Sequence, residues 1–403
     1  MDFPSSFLWG AALSSYQTEG ENFNTDWYLW EKKRELEPAA RASNHYHLFE
    51  NDFELAKELN FNCLRLSVEW ARICPRYHIY SEKEFGHYKE VIGTLLSLNL
   101  KPIVNLHHFT NPIWFSERGG WLSSKNIDFF LHYLKKVVES FKTEVEYWLI
   151  FNEPLVYIYN SFVLGIWPPG RRSLIEAKKV LDNIISAYRV GYQEIKNIYS
   201  GNSTTAKVSF SKHMRIFSPC PTFNTGLNNF SAFLRDGIFN FRILDHLCKK
   251  GYLDFIAMNY YCKEYVKFKG LFGVGCDHGY HQERKNYLNW YVYPKGLYEF
   301  LIRLKRYNLP IIIMENGTAE KQNILYEDYL ISHLKSVAKA ISAGVNVQGY
   351  LWWSLIDNFE WHEGFGPRFG LIEVNYRDFS RKIRPFALTY AKICKENRLE
   401  IKT

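Results

Sequence analysis

The sequence lacks the marks of several large classes of protein. No apolar run approaches the roughly 20 residues needed to cross a bilayer, and no basic-then-apolar leader precedes Phe7-Leu8-Trp9-Gly10. There is no Gly-rich phosphate loop following a strand, no low-complexity tract and no internal repeat. The seven cysteines (Cys63, Cys74, Cys220, Cys248, Cys262, Cys276, Cys394) are far apart, odd in number and without a CxxC pair. Neither a disulfide framework nor a zinc site is therefore expected. Together these absences predict a reduced, cytoplasmic protein with no metal, no cofactor and no membrane partner, in which Asn202-Ser-Thr and Asn229-Phe-Ser are chance sequons. Charge is not concentrated either: 50 Lys+Arg against 42 Asp+Glu give a net +8. The densest basic clusters, Lys32-Lys33-Arg34 and Arg381-Lys382, are short and interrupted, which speaks against nucleic acid as a partner.

Aromatic residues are abundant instead, at 17% of the chain with 12 Trp, 28 Tyr and 30 Phe. Packing uses many such rings, but flat aromatic faces also stack on the C–H faces of sugars. With 403 residues, 47% hydrophobic and 23% charged, the chain is long enough for one large globular domain or two ordinary ones. Eight short apolar runs alternate with helical stretches, at 7–14, 63–67, 101–106, 147–151, 207–211, 254–259, 311–315 and 347–353. They are mostly unbroken rather than alternating, as expected of parallel strands buried on both faces. Between them, 126–141 carries Phe130, Leu134, Val137, Val138 and Phe141 on one helical face. Leu297, Phe300, Leu301 and Leu304 do the same in 296–307, and Ile331, Leu334, Ala338 and Ile341 precede a C-cap glycine at Gly344. No Gly/Pro/Ser-rich linker divides the chain, so residues 1–403 are predicted to form a single (β/α)8 TIM barrel domain, with its chemistry at the C-terminal ends of the strands.

Two of those ends carry a carboxylate. The fourth run ends in Asn152-Glu153-Pro154 and the seventh in Glu315-Asn316-Gly317. A glutamate directly after four apolar residues is costly in a dry core, but at a strand tip it faces the barrel mouth. Strands four and seven lie across the barrel from one another, and paired carboxylates about 5–5.5 Å apart perform double displacement at an anomeric carbon, whereas about 6.5–9.5 Å leaves room for water and inversion. Either glutamate alone reads better as a salt-bridged strand-end residue; the two together do not.

The ordered motifs resemble glycoside hydrolase family 1, the β-glucosidase and β-galactosidase family, and somewhat more its archaeal members. The likeness runs from Phe7 to about Ala391. It is carried by Phe7-Leu8-Trp9-Gly10 through Gln17-Thr18-Glu19-Gly20, Leu64-Arg65 through Trp70-Ala71-Arg72, His107-His108, Asn152-Glu153-Pro154, Asn259-Tyr260-Tyr261, Glu315-Asn316-Gly317 and Trp353 through Glu360-Trp361. The resemblance implies a retaining exo-β-glycosidase acting on β-D-glucosides, β-D-galactosides and β-D-fucosides. It implies Glu153 as acid/base with a raised pKa, and Glu315 as an ionised nucleophile supported by Arg65 and Tyr261. Asn152 would bind the sugar 2-hydroxyl; Gln17, His108, Glu360 and Trp361 the other glycone hydroxyls; Trp353 would be the stacking floor and Asn259 a support of the same subsite. His107 and His108, as adjacent strand residues, point to opposite faces and do not share a metal.

Three alternatives stay open: a transglycosidase with the same residues, a 6-phospho-β-glycosidase, which the charge of Glu360 disfavours, and a catalytically inactive sugar-binding relative. The chain departs from the family pattern in its short loops, notably 20–44, in Met314, expected to affect packing rather than chemistry, and in the unplaced segment 261–289, read as a lid containing Cys276, His278 and His281.

Overall fold

Parallel strands form where the sequence carries its apolar runs. In the computed structural model, which describes residues 1–201, 204–221, 225–270, 273–277, 283–320 and 324–400, they are β1 (Leu8–Ala12), β2 (Cys63–Ser67), β3 (Lys101–Asn105), β4 (Tyr147–Asn152), β5 (Lys207–Pro219), β6 (Ile256–Lys267), β7 (Ile311–Asn316) and β8 (Val347–Trp353). Each pairs in parallel with the next, and β8 pairs with β1, closing a (β/α)8 barrel. Leu8, Cys63, Ile103, Leu149, Ala257, Ile312, Met314 and Leu351 fill its interior, so Met314 is a packing residue as expected.

The main helices are α1 (His45–Glu58), α2 (Glu82–Ser97), α3 (Ile127–Phe141), α4 (Leu174–Tyr199), α5 (Thr225–Arg235), α6 (Arg242–Lys249), α7 (Pro294–Leu304), α8 (Tyr326–Ser342) and α9 (Pro385–Glu396). Their apolar faces supply the core between helices and barrel. In α3 the buried residues include Phe130, Leu134, Val137, Val138 and Phe141, the face read from the sequence. Gly344, after α8, has φ +76° and closes that helix without the strain a Cβ would bring. No described helix is long and apolar enough to cross a membrane.

Two expectations are corrected. First, β5 and β6 run past the barrel rim as a paired ribbon, reaching Pro219 opposite Val266, and the short strand Val274–Gly275 adds to it antiparallel to β6. Part of the segment read as a lid is thus regular sheet. Its charged residues are paired: Glu264 with Arg215 at 2.8 Å and Lys263 with Glu283 at 2.8 Å. Second, Cys220 and Cys276 form a disulfide with Cα atoms 6.2 Å apart. The ribbon brings them together, since the Cys220 N–H donates to Val266 O and the Cys276 N–H to Tyr265 O. A separation of 56 residues concealed this pairing in the sequence. Cys63, Cys74, Cys248, Cys262 and Cys394 are free thiols. His278, His281 and Asn202 lie outside the described residues.

Candidate active site

Both glutamates sit where strand alternation breaks. In β4 the register shifts between Leu149 and Asn152. Leu149 fills the barrel and Phe151 packs outward on Trp121 and Phe130, so Asn152 returns to the inside. Glu153 follows with φ 44°, in the left-handed region, and its N–H is held by Ser211 O at 2.9 Å. It leads into a short helix, Pro154–Ile158, whose proline suits the first helical position. In β7 a second shift lies between Ile313 and Asn316. Asn316 turns outward to Tyr260 O (2.6 Å) and Tyr329 Oη (2.9 Å), while Met314 and Glu315 both face inward. Such irregularities re-aim side chains at strand ends.

One buried network joins the two carboxylates. Arg65, fully buried, donates to Glu315 Oε1 and to Asn152 Oδ1, the latter at 2.7 Å. Tyr261 Oη donates to Glu315 Oε2 at 2.5 Å. Asn259 Nδ2 donates to Glu153 Oε1 at 2.7 Å and lies 3.3 Å from Asn152 Oδ1. With Oδ1 so engaged, the Asn152 amide nitrogen faces His108 Nε2 at 3.0 Å, which must accept. Burial first, then the Arg65 charge, holds the ring neutral.

The remaining predicted residues gather on the same side. The His108 ring lies nearly parallel to Trp353 and Trp361, at 6.0 and 6.2 Å. Gln17 Nε2 faces Asn358 Oδ1, Phe359 O and Glu360 Oε2 at 3.2, 3.0 and 3.2 Å. Its Oε1 is buried without a hydrogen-bond partner among the described residues, as are Asn259 Oδ1 and Asn105 Oδ1. His107 stands apart, bonded to Asn111 Oδ1 at 3.0 Å and held neutral by burial, with its pKa down to about 4. Among the described residues no group of three or more His, Cys, Asp and Glu could hold a metal ion.

Two site residues escaped the sequence reading. His213 Nδ1 lies 3.2 Å from Glu153 Oε1, and its ring packs against Tyr261 at 5.8 Å and Phe239 at 5.9 Å. Lys212, also buried, donates to His213 O and places its ammonium 4.2 Å from the Phe239 ring centre. Burial pushes its pKa down to about 7. The expected fifth strand stopped at Ser211, directly before this pair; the signal was the Lys-His step after the neutral stretch 208–211.

The electrostatics reverse one expectation. Burial, then the facing Glu153 charge, pushes Glu315 up to about 7 against Arg65 and Tyr261. For Glu153 burial raises the pKa, but His213, Asn259 and Lys212 together outweigh it and hold it below the usual glutamate range. The largest of these opposing effects is the positive charge of His213, and burial in turn lowers the His213 pKa. The neutral imidazole no longer supplies that charge. Glu360 is pushed up to about 8 by burial and then by the charges of Glu315 and Glu153.

A family profile described as Glycosyl hydrolase family 1 matches residues 1–252 and 240–399. The chain belongs to glycosyl hydrolase family 1. Within the family, a beta-galactosidase from Pyrococcus woesei is 30% identical over 476 aligned residues, covering 93% of each chain. The beta-glycosidase from Pyrococcus horikoshii has a TM-score of 0.93 at 34% identity, over 100% of this chain and 96% of that one. A family 1 b-glucosidase from Thermotoga maritima, solved with isofagomine lactam, has a TM-score of 0.90 at 26% identity, over 99% and 100%. As a family 1 member the chain is a glycoside hydrolase acting on O-glycosidic bonds.

Proposed function

We propose that residues 1–403 act as one domain, a retaining exo-β-glycosidase for β-D-glucosides, β-D-galactosides and β-D-fucosides. The observation that carries this reading is the asymmetry of the groups around the two carboxylates. Arg65 and Tyr261 present only hydrogens to Glu315, which favours its ionised form. Glu153 receives one hydrogen bond, from Asn259 at 2.7 Å, and otherwise faces His213 Nδ1, which in the neutral ring can accept a proton. Two facing carboxylates that share one proton titrate as a pair, and this donor set puts the proton on Glu153 when a glycoside is bound.

The chemistry follows from that placement. Glu315 Oε attacks the anomeric carbon; the C1–O bond to the aglycone breaks, and the leaving oxygen takes the Glu153 proton. The ester formed removes the Glu315 negative charge, which opposes ionisation of Glu153 across the site. Glu153, now a carboxylate, takes a proton from water; the water oxygen bonds to C1 and Glu315 leaves with the electron pair. Asn152 meets the 2-hydroxyl, and the unpartnered Gln17 Oε1 and Asn259 Oδ1 are acceptors suited to the glycone side of a polyhydroxylated ligand. With a pKa of about 8, Glu360 is largely neutral at pH 7 in the open site. Its charge repels a 6-phosphate only above that range, yet among the described residues no Lys or Arg pairs with it to bind one.

Initial rates on p-nitrophenyl β-glucoside, β-galactoside, β-fucoside and 6-phospho-β-glucoside test the reading. Hydrolysis of the neutral glycosides, its loss in Glu315→Gly by at least about 10³-fold, and azide rescue to an α-glycosyl azide are expected. A β-azide product, or an unimpaired Glu315→Gly, contradicts it.

A further inference from the structure

A further buried carboxylate stands just past the rim of the barrel. Glu69, 2% exposed, follows β2 and precedes the short helix Trp70–Ile73. Burial pushes its pKa up to about 7. A buried acid is ordinarily matched by a basic group, as Asp52 is by Arg381 and Asp357 by Arg384. Glu69 has no ion pair among the described residues. Arg72, three residues on, turns instead to Glu19 at 2.7 Å and to Gly20 O.

Three donors from three strand ends hold Glu69. Ser15 Oγ, after β1, donates to Oε2 at 3.1 Å. The Ala71 N–H, after β2, donates to Oε1 at 3.1 Å, and Thr110 Oγ1, after β3, donates to Oε2 at 2.9 Å. Ser15 is fixed further by Ser67, whose hydroxyl accepts from the Ser15 N–H at 2.7 Å and donates to Ser15 Oγ at 2.9 Å. A carboxylate has two oxygens and about four acceptor sites on one plane, so it gathers donors from several directions where a hydroxyl does not.

Two of these donors stand one step from residues on the sugar side. Ser15 opens the single helical turn Ser15–Thr18 that carries Gln17. The Thr110 N–H donates to His108 O at 2.9 Å. Gln17 and His108 thus hang from the ends of β1 and β3, and they share no hydrogen bond with each other among the described residues. We propose that Glu69 is a positioning residue for the glycone: by tying the ends of β1 and β3 it sets the spacing between Gln17 and His108. This inference rests on the β-glycosidase reading above. Two groups that meet hydroxyls of one rigid ring need a fixed separation, and a misplacement of about 1 Å costs on the order of 10²-fold in rate.

The test is a double-mutant cycle in the full chain, Glu69→Ala against Gln17→Ala, read as kcat/KM on p-nitrophenyl β-glucoside. Glu69→Ala is expected to cost about 30- to 100-fold in the wild-type background. Without Gln17 there is no spacing left to set, so the same substitution should cost about fivefold or less in Gln17→Ala. Affinity for 1-deoxynojirimycin, a glycone mimic with no aglycone, should fall along with kcat/KM. Glu69→Gln keeps an acceptor oxygen in the same plane and should return kcat/KM to within about fivefold of wild type. Ser15→Ala and Thr110→Val cut the two ties singly and decide the matter if Glu69→Ala does not fold. Each should cost about 3- to 10-fold, shrinking to about twofold or less in Gln17→Ala. Equal losses in the two backgrounds, an unchanged inhibitor affinity, or a Glu69→Gln as impaired as Glu69→Ala overturns the proposal and leaves the hydrolase reading intact. Silence of the wild type on every glycoside overturns the parent reading and this inference with it.

Discussion

The Tyr261 hydroxyl stabilises only the charged form of Glu315, to which it donates at 2.5 Å. In Tyr261→Phe the Glu315 pKa, already about 7, should rise further. The acidic limb of the kcat/KM–pH profile is then expected to move about one unit to higher pH, with kcat down roughly tenfold or more. An unmoved limb would show that Tyr261 does not tune Glu315. His213→Phe addresses the other carboxylate. Hydrolysis of methyl β-glucoside, whose leaving group needs a proton, should fall by about 10²-fold more than that of 2,4-dinitrophenyl β-glucoside, which needs none. Equal losses on the two substrates would make His213 a packing residue. Glu153, Glu315 and the strand-tip amides were legible because each closes an apolar run. His213 and Lys212 were not, because strand β5 continues past the rim and its added residues look like the start of a loop.

Among the elements, the segment after β8 carries Glu360 and Trp361 and is clamped by a buried charge cluster. Asp357, fully buried, accepts from Arg384 at 3.0 and 2.8 Å, from Arg368 at 3.1 Å and from the Gly370 N–H at 2.9 Å. Arg384→Met removes one partner of a buried pair and should cost about 3–5 kcal/mol in urea or guanidinium unfolding. A cost below about 1 kcal/mol would mean that Arg368 and Gly370 suffice. The β5–β6 ribbon has its own test. Alkylation of the unfolded, unreduced chain should modify five cysteines, and all seven only after reduction. Closing a loop of 56 residues stabilises by up to about 4 kcal/mol, so Cys276→Ser should unfold at visibly lower denaturant. All eight strand runs and the apolar faces of the helices could be read from the sequence, because unbroken apolar runs and a 3.6-residue period are local signals. The ribbon and its disulfide could not, because their charges and thiols are satisfied by partners distant in sequence.

At the scale of the whole molecule, many buried ionisable groups tie stability to pH in opposing directions. Burial holds His87 and His107 down to about 4 and Lys212 down to about 7, while it pushes Asp26 up to about 6 and Glu69 and Glu315 up to about 7. Glu360 is separable from the rest by substitution. Its folded pKa, about 8, lies above the ordinary 4.5, so its contribution is fully present below about pH 4.5 and is lost as pH rises through 8. Glu360→Gln should therefore gain stability relative to wild type between pH 5 and 8.5, on the order of 1 kcal/mol after discounting for its partial exposure. A pH-independent difference in unfolding free energy would show that Glu360 titrates normally.

The central claim is that Glu315 forms a covalent bond to the sugar, and intact-mass and peptide analysis after incubation with 2,4-dinitrophenyl 2-deoxy-2-fluoro-β-D-glucoside tests it most directly. The expected result is one fluoroglucosyl group per chain, with a stoichiometric burst of dinitrophenol and the label on the peptide containing Glu315-Asn316-Gly317. Release of dinitrophenol with no adduct, or an adduct on any other residue, would contradict it.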